Sequence, residues 1–281
     1  MLALGKFDAL HRGHRALALA AGAASSSPYL LSFSGMASVL GWEPRLPVAA
    51  ECDRPRILRG WSEDAAAAAQ ARGEKQPPEP LRERRFPFAS IRHLSPEAFV
   101  VLLAKLGVAG VVCGENYRFG FRAAGDAEQL RALSAAHGLR CVVLRMVEEE
   151  NSPRPLPSHA QVSSTAVRAA LREGDLDRVA GLLGRRHRLV LEHAEAEGAD
   201  GVPPQTPLNQ PPRAGLYWGK AWVGTLGEDG EVKDGLVARQ AAGVEVLADG
   251  KVRVALLRPE DALAAALARR AGSRLRVQVE L

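Results

Sequence analysis

Gly5-Lys6-Phe7-Asp8-Ala9-Leu10-His11-Arg12-Gly13-His14 is the stretch of sequence that decides the fold. A short apolar run, Leu2–Leu4, precedes it, and an Ala/Leu-rich helix of about His14–Ala23 follows it. A strand that runs directly into a polar loop and then a helix is typical of an α/β protein with a parallel sheet. The helix N-terminus offers unpaired backbone N–H groups and a positive dipole end, which favour phosphate. The stretch therefore predicts an anion-binding loop at the end of the first strand.

Two histidines in this loop are the first candidate catalytic residues. His11 and His14 are three residues apart, which places them on the same side of a helix start. Their imidazole N–H groups could bind the α- and β-phosphates of a nucleotide, and Gly13 would let a phosphate or base approach the backbone closely. Two surface histidines in an ordinary loop are the alternative. The position directly after the first strand, with Asp8 three residues before His11, favours function.

A second motif, Val162-Ser163-Ser164-Thr165-Ala166-Val167-Arg168, predicts a capped helix with an arginine about one turn inside it. Hydroxyl and backbone N–H groups at such a start could hold a triphosphate, and the guanidinium could stabilise a leaving pyrophosphate. By itself the motif is better explained by a capped helix with a solvent-exposed arginine. Its occurrence downstream of His-x-Gly-His makes the pair more specific than either part.

A third motif, Cys113-Gly114-Glu115-Asn116-Tyr117-Arg118-Phe119-Gly120, ends a predicted buried strand. Ligands of open α/β sheets bind outside the carboxyl ends of the strands, where this loop would lie. An amide beside aromatic residues suits a flat heteroaromatic substrate. A well-packed turn punctuated by glycines is the alternative.

The remaining pattern predicts two domains, 1–190 and 191–281. Strands and helices alternate through residues 1–184, which favours a parallel sheet. The pattern predicts a strand at Tyr29–Phe33, a loose insertion at 62–82, a helix that begins at Ser95-Pro96-Glu97, a buried strand at Val108–Cys113, a helix near 127–137, a strand at Cys141–Met146 and two helices in 163–184. Residues 192–212 are rich in Pro, Gly and acidic residues and are interpreted as a linker. Beyond them, β-like runs at 216–223, 243–247, 252–257 and 275–281, with one helix at 259–271, predict a small, mostly β domain.

Composition narrows the class of protein. The chain has 281 residues, of which 47% are hydrophobic and 25% charged, enough for a sizeable core. A net charge of +5 suits an anionic small molecule. Nucleic acid is the least supported partner, because the basic residues are not clustered with aromatic ones. Three dispersed cysteines indicate neither a disulfide framework nor a zinc site. No apolar run approaches the ~18 residues of a membrane span, and no leader precedes the first motif, so we expect neither a membrane protein nor a secreted one.

The motifs together resemble the adenylyltransferase module of the riboflavin kinase/FAD synthetase family. The resemblance covers about residues 2–190 and is closest to the single-function FAD synthetases of plant and algal plastids. Four blocks occur in order, at residues 5–14, 30–44, 114–120 and 162–168. The resemblance implies a Rossmann-like HxGH nucleotidyltransferase fold that transfers AMP from ATP to FMN with Mg²⁺. It also implies a chloroplast location; it gives no oligomeric state.

The same resemblance implies the roles of individual residues. The catalytic set is His11, His14, Asn116 and Arg168. The ATP-binding set is Gly5, Lys6, Phe7, Asp8, Gly13, Ser163, Ser164 and Thr165. The flavin-binding set is Phe33, Asn116, Tyr117 and Phe119. No protein residue is assigned as a metal ligand. One departure is Ser34, which stands where two-domain bacterial members carry an acidic residue.

The C-terminal part resembles a degenerate riboflavin kinase barrel. The similar segments are Arg185–Val190, Pro211–Tyr217 and Gly272–Glu280. The Pro-Thr-Ala-Asn motif of that kinase is missing, and the nearest string, Thr206-Pro207-Leu208-Asn209, has the wrong order. Glu245 could mimic the kinase base, but the spacing downstream of it does not fit. We therefore expect a barrel without kinase activity.

Two other functions stay open. One is another HxGH adenylyltransferase, acting on nicotinate mononucleotide or phosphopantetheine; the aromatic loop after Cys113 and the residual barrel argue against it. The other is a catalytically silent flavin- or nucleotide-binding protein, against which the intact His11, His14 and Arg168 argue.

Overall fold

Strands and helices alternate through the first half of the chain, as the sequence pattern predicts. The computed structural model describes residues 1–149, 160–192, 204–226, 232–234, 239–256 and 275–281. The first sheet is parallel and has the order β3-β2-β1-β4-β5. Its strands are β1 (Leu2–Leu4), β2 (Tyr29–Ser34), β3 (Arg82–Pro87), β4 (Gly110–Gly114) and β5 (Arg140–Leu144). Strands β2 and β3 extend the sheet on one side of β1, and β4 and β5 extend it on the other side. The strand order therefore reverses between β1 and β4. Such a reversal is where open α/β sheets bind ligands.

Helices connect these strands, and their ends follow local sequence signals. They are α1 (Arg12–Ala24), α2 (Met36–Leu40), α3 (Arg54–Ala71), α4 (Phe88–Ile91), α5 (Pro96–Lys105) and α6 (Ala127–Ala136). Ser95 caps α5 through a hydrogen bond from the backbone N–H of Ala98 to its hydroxyl, with proline in the first turn. The predicted helix start at Ser95-Pro96-Glu97 is therefore confirmed.

Helix α3 contradicts the prediction of a loose insertion at 62–82 for its first part, residues 62–71. Residues up to Ala71 are helical, and β3 begins at Arg82. Leu58, Trp61, Ala65 and Ala69 are buried at a spacing of three to four residues, which forms one apolar stripe. The alanine run, read as low complexity, is a strong helix former whose small side chains allow close packing.

The second sheet is antiparallel and has seven strands, which confirms the mostly β character predicted for the C-terminal part. The strands are β6 (Arg188–Glu192), β7 (Thr206–Pro207), β8 (Gly215–Leu226), β9 (Val232–Asp234), β10 (Gln240–Val246), β11 (Val252–Leu256) and β12 (Leu275–Glu280). Strand β8 pairs with β9, β10 and β12, and β12 continues to β6 and β7. Its core is aliphatic and includes Leu189, Leu191, Val244, Val277 and Val279. The helix predicted at 259–271 lies outside the described residues.

Two compact units divide the chain, and neither is continuous in sequence. The first unit contains residues 1–44, 57–148 and 159–162; the second contains 45–56, 149–158 and 163–281. Two further helices, α7 (Ser164–Glu173) and α8 (Leu176–Leu183), belong to the second unit. Strand β6 extends across the boundary predicted after residue 190.

The described end of the predicted linker is ordered structure. Thr206 and Pro207 pair with β6, and the Asn209 side chain is fully buried. The Asn209 amide group accepts a hydrogen bond from Val190 N–H and donates to the carbonyls of Val48 and Arg188, each at 2.9 Å. The linker prediction is thus wrong for residues 204–212. The buried Asn209 amide fixes this segment by satisfying three backbone groups of other segments.

Candidate functional site

The loop between β1 and α1 holds its backbone in an uncommon conformation. Phe7 and Leu10 have positive φ angles, 43° and 49°, and both side chains are completely buried. Non-glycine residues rarely adopt this region, and such strain persists only where the surrounding structure imposes it. Strained backbone of this kind clusters at functional sites, which makes the loop a candidate on structural grounds as well as by motif.

The two histidines of the loop form one rigid pair. His11 occupies the N-cap position of α1, and its Nδ1 atom accepts a hydrogen bond from His14 N–H at 3.3 Å. The two rings stack with centroids 3.7 Å apart and an interplanar angle of 15°. Both side chains are more than nine-tenths buried. The arrangement holds both imidazoles at the positive end of a helix, where an anion is favoured.

The neighbouring residues explain why the pair has this geometry. A Cβ atom at Gly13 would lie 3.1 Å from Cε1 and 3.2 Å from Nδ1 of His11, so any other residue here would push the His11 ring by a few tenths of an ångström. The Phe7 ring lies 4.9 Å from the His14 ring, and a Cβ atom at Gly5 would lie 3.2 Å from Phe7 Cζ. Phe7 thus packs against the His14 ring.

Lys6 and Asp8 are the charged residues that the sequence assigned to this loop. Lys6 Nζ lies 4.5 Å from the centre of the exposed Trp42 ring, a cation–π geometry. Lys6 is exposed and Asp8 is half-buried.

The loop after β4 lies at the same edge of the sheet, because β1 and β4 are parallel neighbours. Asn116 is exposed at its tip, whereas Phe119 is buried in the core against Phe99, with ring centroids 5.7 Å apart. Tyr117 stacks on Phe119 at 6.0 Å, and burial raises the pKa of its hydroxyl. Of the residues predicted in this loop, Asn116 is the one that faces solvent; the two aromatic rings pack with the core.

Glu115, in the same loop, is a residue that the motif analysis did not single out. Its carboxylate accepts a hydrogen bond from the backbone N–H of Met146, just beyond β5, at 2.9 Å. This bond ties the loop that carries Asn116 to the end of the neighbouring strand. No sequence signal links residues 115 and 146, since the contact depends on strand order.

Phe33 packs against the same hydrophobic cluster as Tyr117 and lines a cavity of about 480 Å³ in the first unit. The cavity lies along one face of β2 and β3 and is mostly apolar. Its lining includes Tyr29, Phe33, Arg84, Phe86, Phe99 and Leu103.

Ser34, the residue at which the sequence departs from the two-domain bacterial pattern, donates a hydrogen bond to the carbonyl of Phe86 at 3.4 Å. Two residues earlier, the buried Ser32 hydroxyl donates to the Glu83 carboxylate on β3 at 2.5 Å. An acidic side chain therefore lies beside β2, contributed by the neighbouring strand.

The second motif forms the start of α7 in the second unit. The Ser163 hydroxyl accepts a hydrogen bond from Ala166 N–H at 3.1 Å, so Ser163 is the N-cap, and Ser164 and Thr165 form the first turn. The Arg168 guanidinium donates to the carbonyl of Leu46 at 3.0 Å and to the side chain of Gln210. These bonds fix the position of the guanidinium.

No group of three or more His, Cys, Asp or Glu residues that could hold a metal ion occurs in the part of the chain that the structure describes. Within the same residues, no helix combines the length and the apolar character needed to cross a membrane.

The sequence of this chain is similar to those of known proteins. Residues 86–155 match the family model of FAD synthetase. The chain is 44% identical over 243 residues to FAD synthetase 2, chloroplastic, of Arabidopsis thaliana, a match that covers 83% of this chain and 62% of the relative. It is 43% identical over 233 residues to FAD synthetase 1, chloroplastic, of the same plant, covering 77% and 62%. These matches confirm the resemblance that the motifs predicted, although the chain spans less than two thirds of either relative.

Solved structures add information on the fold alone. A crystal structure described as that of a macrolide-efflux protein from Streptococcus pneumoniae has a TM-score of 0.68 and is 17% identical, covering 100% of this chain and 83% of that one. At this level of identity the likeness concerns the mixed α/β architecture and carries no argument about activity.

Proposed function

We propose that this chain, which resembles the FAD synthetases, transfers the AMP part of ATP to FMN and releases pyrophosphate. The observation that carries the proposal is the stacked His11–His14 pair at the N-terminus of α1, at the point where the strand order reverses. The 44% identity to a chloroplastic FAD synthetase supports the same reaction.

In the proposed reaction an FMN phosphate oxygen attacks the α-phosphorus of ATP, and the bond to the β-phosphate oxygen breaks. The protein's task is to position the two substrates and to stabilise the charge that develops on the phosphates. His11 and His14 would donate hydrogen bonds to the α- and β-phosphates, while Gly5, Lys6, Phe7, Asp8 and Gly13 shape the nucleotide loop. Buried donors fixed before the reaction lose little by reorganisation, which makes them effective.

The other site residues keep the roles that their motifs imply. Ser163, Ser164 and Thr165 would bind the β- and γ-phosphates, and Arg168 the leaving pyrophosphate. Asn116 would orient the FMN phosphate and flavin. Of the flavin-side aromatic residues, Phe33 is the one that lines the cavity. Tyr117 and Phe119 would act by supporting the loop that carries Asn116.

Mg²⁺ is the cofactor we propose with ATP. The ion would be held chiefly by phosphate oxygens and water, as Mg²⁺ prefers. When bound, the ion would neutralise phosphate charge. The names of the relatives support a chloroplast location.

For the second sheet we propose a barrel without riboflavin kinase activity. Asn209, the asparagine nearest to a kinase motif, has its amide group committed to three backbone hydrogen bonds. Glu245 is paired with Arg253, with a side-chain separation of 2.5 Å.

The test is turnover with two flavins. Purified protein is incubated with ATP, Mg²⁺ and either FMN or riboflavin, and the products are separated by chromatography. FAD from FMN alone is expected; FAD from riboflavin would show that the kinase survives. His14→Ala should reduce FAD formation by about 100-fold or more, the effect of losing one fixed donor. The matched control is His93→Ala at an exposed position, which should keep full activity. Near-normal turnover by a folded His14→Ala variant would contradict the role of His14.

A further inference from the structure

A second stretch of strained backbone follows the loop that carries Asn116. Arg122 and Ala123 have φ angles of 54° and 56°. Residues other than glycine rarely adopt this left-handed region, and two in succession persist only where the surrounding structure imposes the conformation. This turn, residues 118–125, extends beyond Gly120, the last residue of the third motif. Because backbone strain of this kind clusters at functional sites, the turn is a candidate for function.

Side-chain and backbone hydrogen bonds hold the turn in this conformation. The guanidinium of Arg118 donates two hydrogen bonds to the carbonyl of Ala123, at 3.1 and 2.8 Å. The backbone N–H groups of Phe119 and Gly125 each donate to the other residue's carbonyl, at 3.1 and 2.9 Å. The turn is therefore fixed by contacts within the protein before any ligand binds.

The turn lies at the carboxyl edge of the first sheet. The backbone N–H of Phe121 donates to the carbonyl of Leu94 at 2.7 Å. A Cβ atom at Gly120 would lie 2.8 Å from the ring of Pro96, so the turn packs tightly against the segment that joins α4 to α5. Helix α4 begins directly after the carboxyl end of β3, and the loop that leads into the turn begins at the carboxyl end of β4. Ligands of open α/β sheets bind at this edge.

Phe121 is an exposed aromatic residue on this turn. Its side chain is 45% exposed, whereas Phe119, two residues earlier, is buried in the core. The guanidinium carbon of Arg122 lies 5.3 Å from the centre of the Phe121 ring, a cation–π geometry. A single exposed apolar side chain is common on protein surfaces, so exposure alone carries no argument. Phe121 differs because a fixed turn holds its ring at the edge where ligands bind.

We propose that Phe121 contacts the flavin of FMN, with its ring stacked on the isoalloxazine ring, while Asn116 in the preceding loop orients the substrate. The contact presupposes the proposed function and adds a residue to its flavin site. A ring held in place before binding loses little freedom when the ligand arrives. Stacking of a nucleobase on an aromatic side chain strengthens binding by about 5- to 150-fold, and the flavin is a larger flat heteroaromatic ring.

The first experiment measures FMN binding without ATP, from the fluorescence anisotropy of FMN as the protein is titrated in. Phe121→Leu, which removes the ring but keeps an apolar side chain, should weaken binding by about tenfold or more. Because Phe121 is exposed, the urea midpoint of this variant should match that of the wild type. The matched control is Trp218→Leu, which removes a ring that is 71% exposed on β8 and should keep the wild-type affinity.

A second variant separates direct contact from support of the turn. Phe121→Trp keeps an aromatic face and should keep the FMN affinity of the wild type. Its bound FMN should fluoresce less than FMN bound to the wild type, because an indole in contact with an excited flavin quenches it by donating an electron. Unchanged FMN affinity in Phe121→Leu, or equal fluorescence of FMN bound to Phe121→Trp and to the wild type, overturns the proposal.

Steady-state FAD formation distinguishes this proposal from the proposed function. In Phe121→Leu the KM for FMN should rise by about the same factor as the loss of FMN affinity, and the KM for ATP should not change. Normal FAD formation together with unchanged FMN affinity in Phe121→Leu would overturn the flavin contact and leave the proposed reaction standing. FMN binding that depends on Phe121, in a protein that makes no FAD, would support the contact and overturn the reaction.

Discussion

Replacing Asn209 by alanine should destabilise the second unit by a calculable amount. The change removes one hydrogen-bond acceptor from Val190 N–H and two donors from the carbonyls of Val48 and Arg188. Asn209 is fully buried, so water reaches these three backbone groups only if the structure opens. At about 1–3 kcal/mol for each orphaned group, and with partial relaxation, the free energy of unfolding should fall by about 3–5 kcal/mol.

The assay is urea-induced unfolding, followed by the fluorescence of Trp222, which lies in the same unit, in a background where Trp42, Trp61 and Trp218 are replaced by phenylalanine. A loss of about 3–5 kcal/mol corresponds to a fall of at least 1 M in the urea midpoint for a slope of about 2–3 kcal/mol/M. Asn116→Ala is the matched control, because Asn116 is exposed, and its midpoint should not change. A loss below about 1 kcal/mol in Asn209→Ala would refute the reasoning, since the three bonds would then contribute nothing beyond what solvent supplies.

Three further predictions concern other parts of the chain. Gly13→Ala should reduce FAD formation by about tenfold or more, because the added Cβ atom would lie 3.1 Å from the His11 ring and must displace it. The control is Gly181→Ala in α8, where an added Cβ atom has no neighbour within 4 Å; this variant should keep full activity in the same chromatographic assay. His187, buried and neutral with a pKa lowered to about 4, should make the protein less stable as the pH falls from about 6.5 towards 4, because the unfolded chain takes up the proton first. Unfolding measured across that range should show a smaller pH dependence in His187→Gln, and an identical profile would contradict the assignment. A hydrogen bond with Cys113 lowers the pKa of Cys141 to about 7 and raises that of Cys113, so iodoacetamide at pH 7.5 should alkylate Cys141 before Cys113. Mass spectrometry should show slower alkylation of Cys141 in Cys113→Ala, and equal rates would count against the thiol–thiol hydrogen bond.

The parts of the fold that sequence could predict are those governed by local rules. The cap at Ser95, the cap at Ser163 and the buried strand that ends at Gly114 each follow from residues within one or two turns. The loop after β1 was identified for the same reason. Its chemistry is concentrated in ten consecutive residues, and its position follows from the strand before it.

The parts that could not be predicted depend on distant partners. Part of helix α3 was interpreted as a low-complexity insertion because of its alanine run. The buried apolar stripe of this helix is stabilised by the residues that pack against it, and those residues are distant in sequence. Asn209 was interpreted as part of a linker, although its three hydrogen-bond partners lie 19, 21 and 161 residues earlier in the chain. The Asp53–Arg188 pair joins residues 135 positions apart. Neither a periodic pattern nor a motif in the sequence predicts such long-range pairs.

The interleaved path of the chain has a consequence for how such a protein can evolve. Residues 45–56, which the chain reaches before completing the first sheet, belong to the second unit, as do α7, α8 and β6. Cutting the gene after residue 190 would therefore remove β8 and β12 while leaving behind the segments that pack with them, including the buried Leu189. The second unit therefore cannot be removed by deleting the C-terminal end of the chain, because its remaining segments lie within and before the first sheet's last connections.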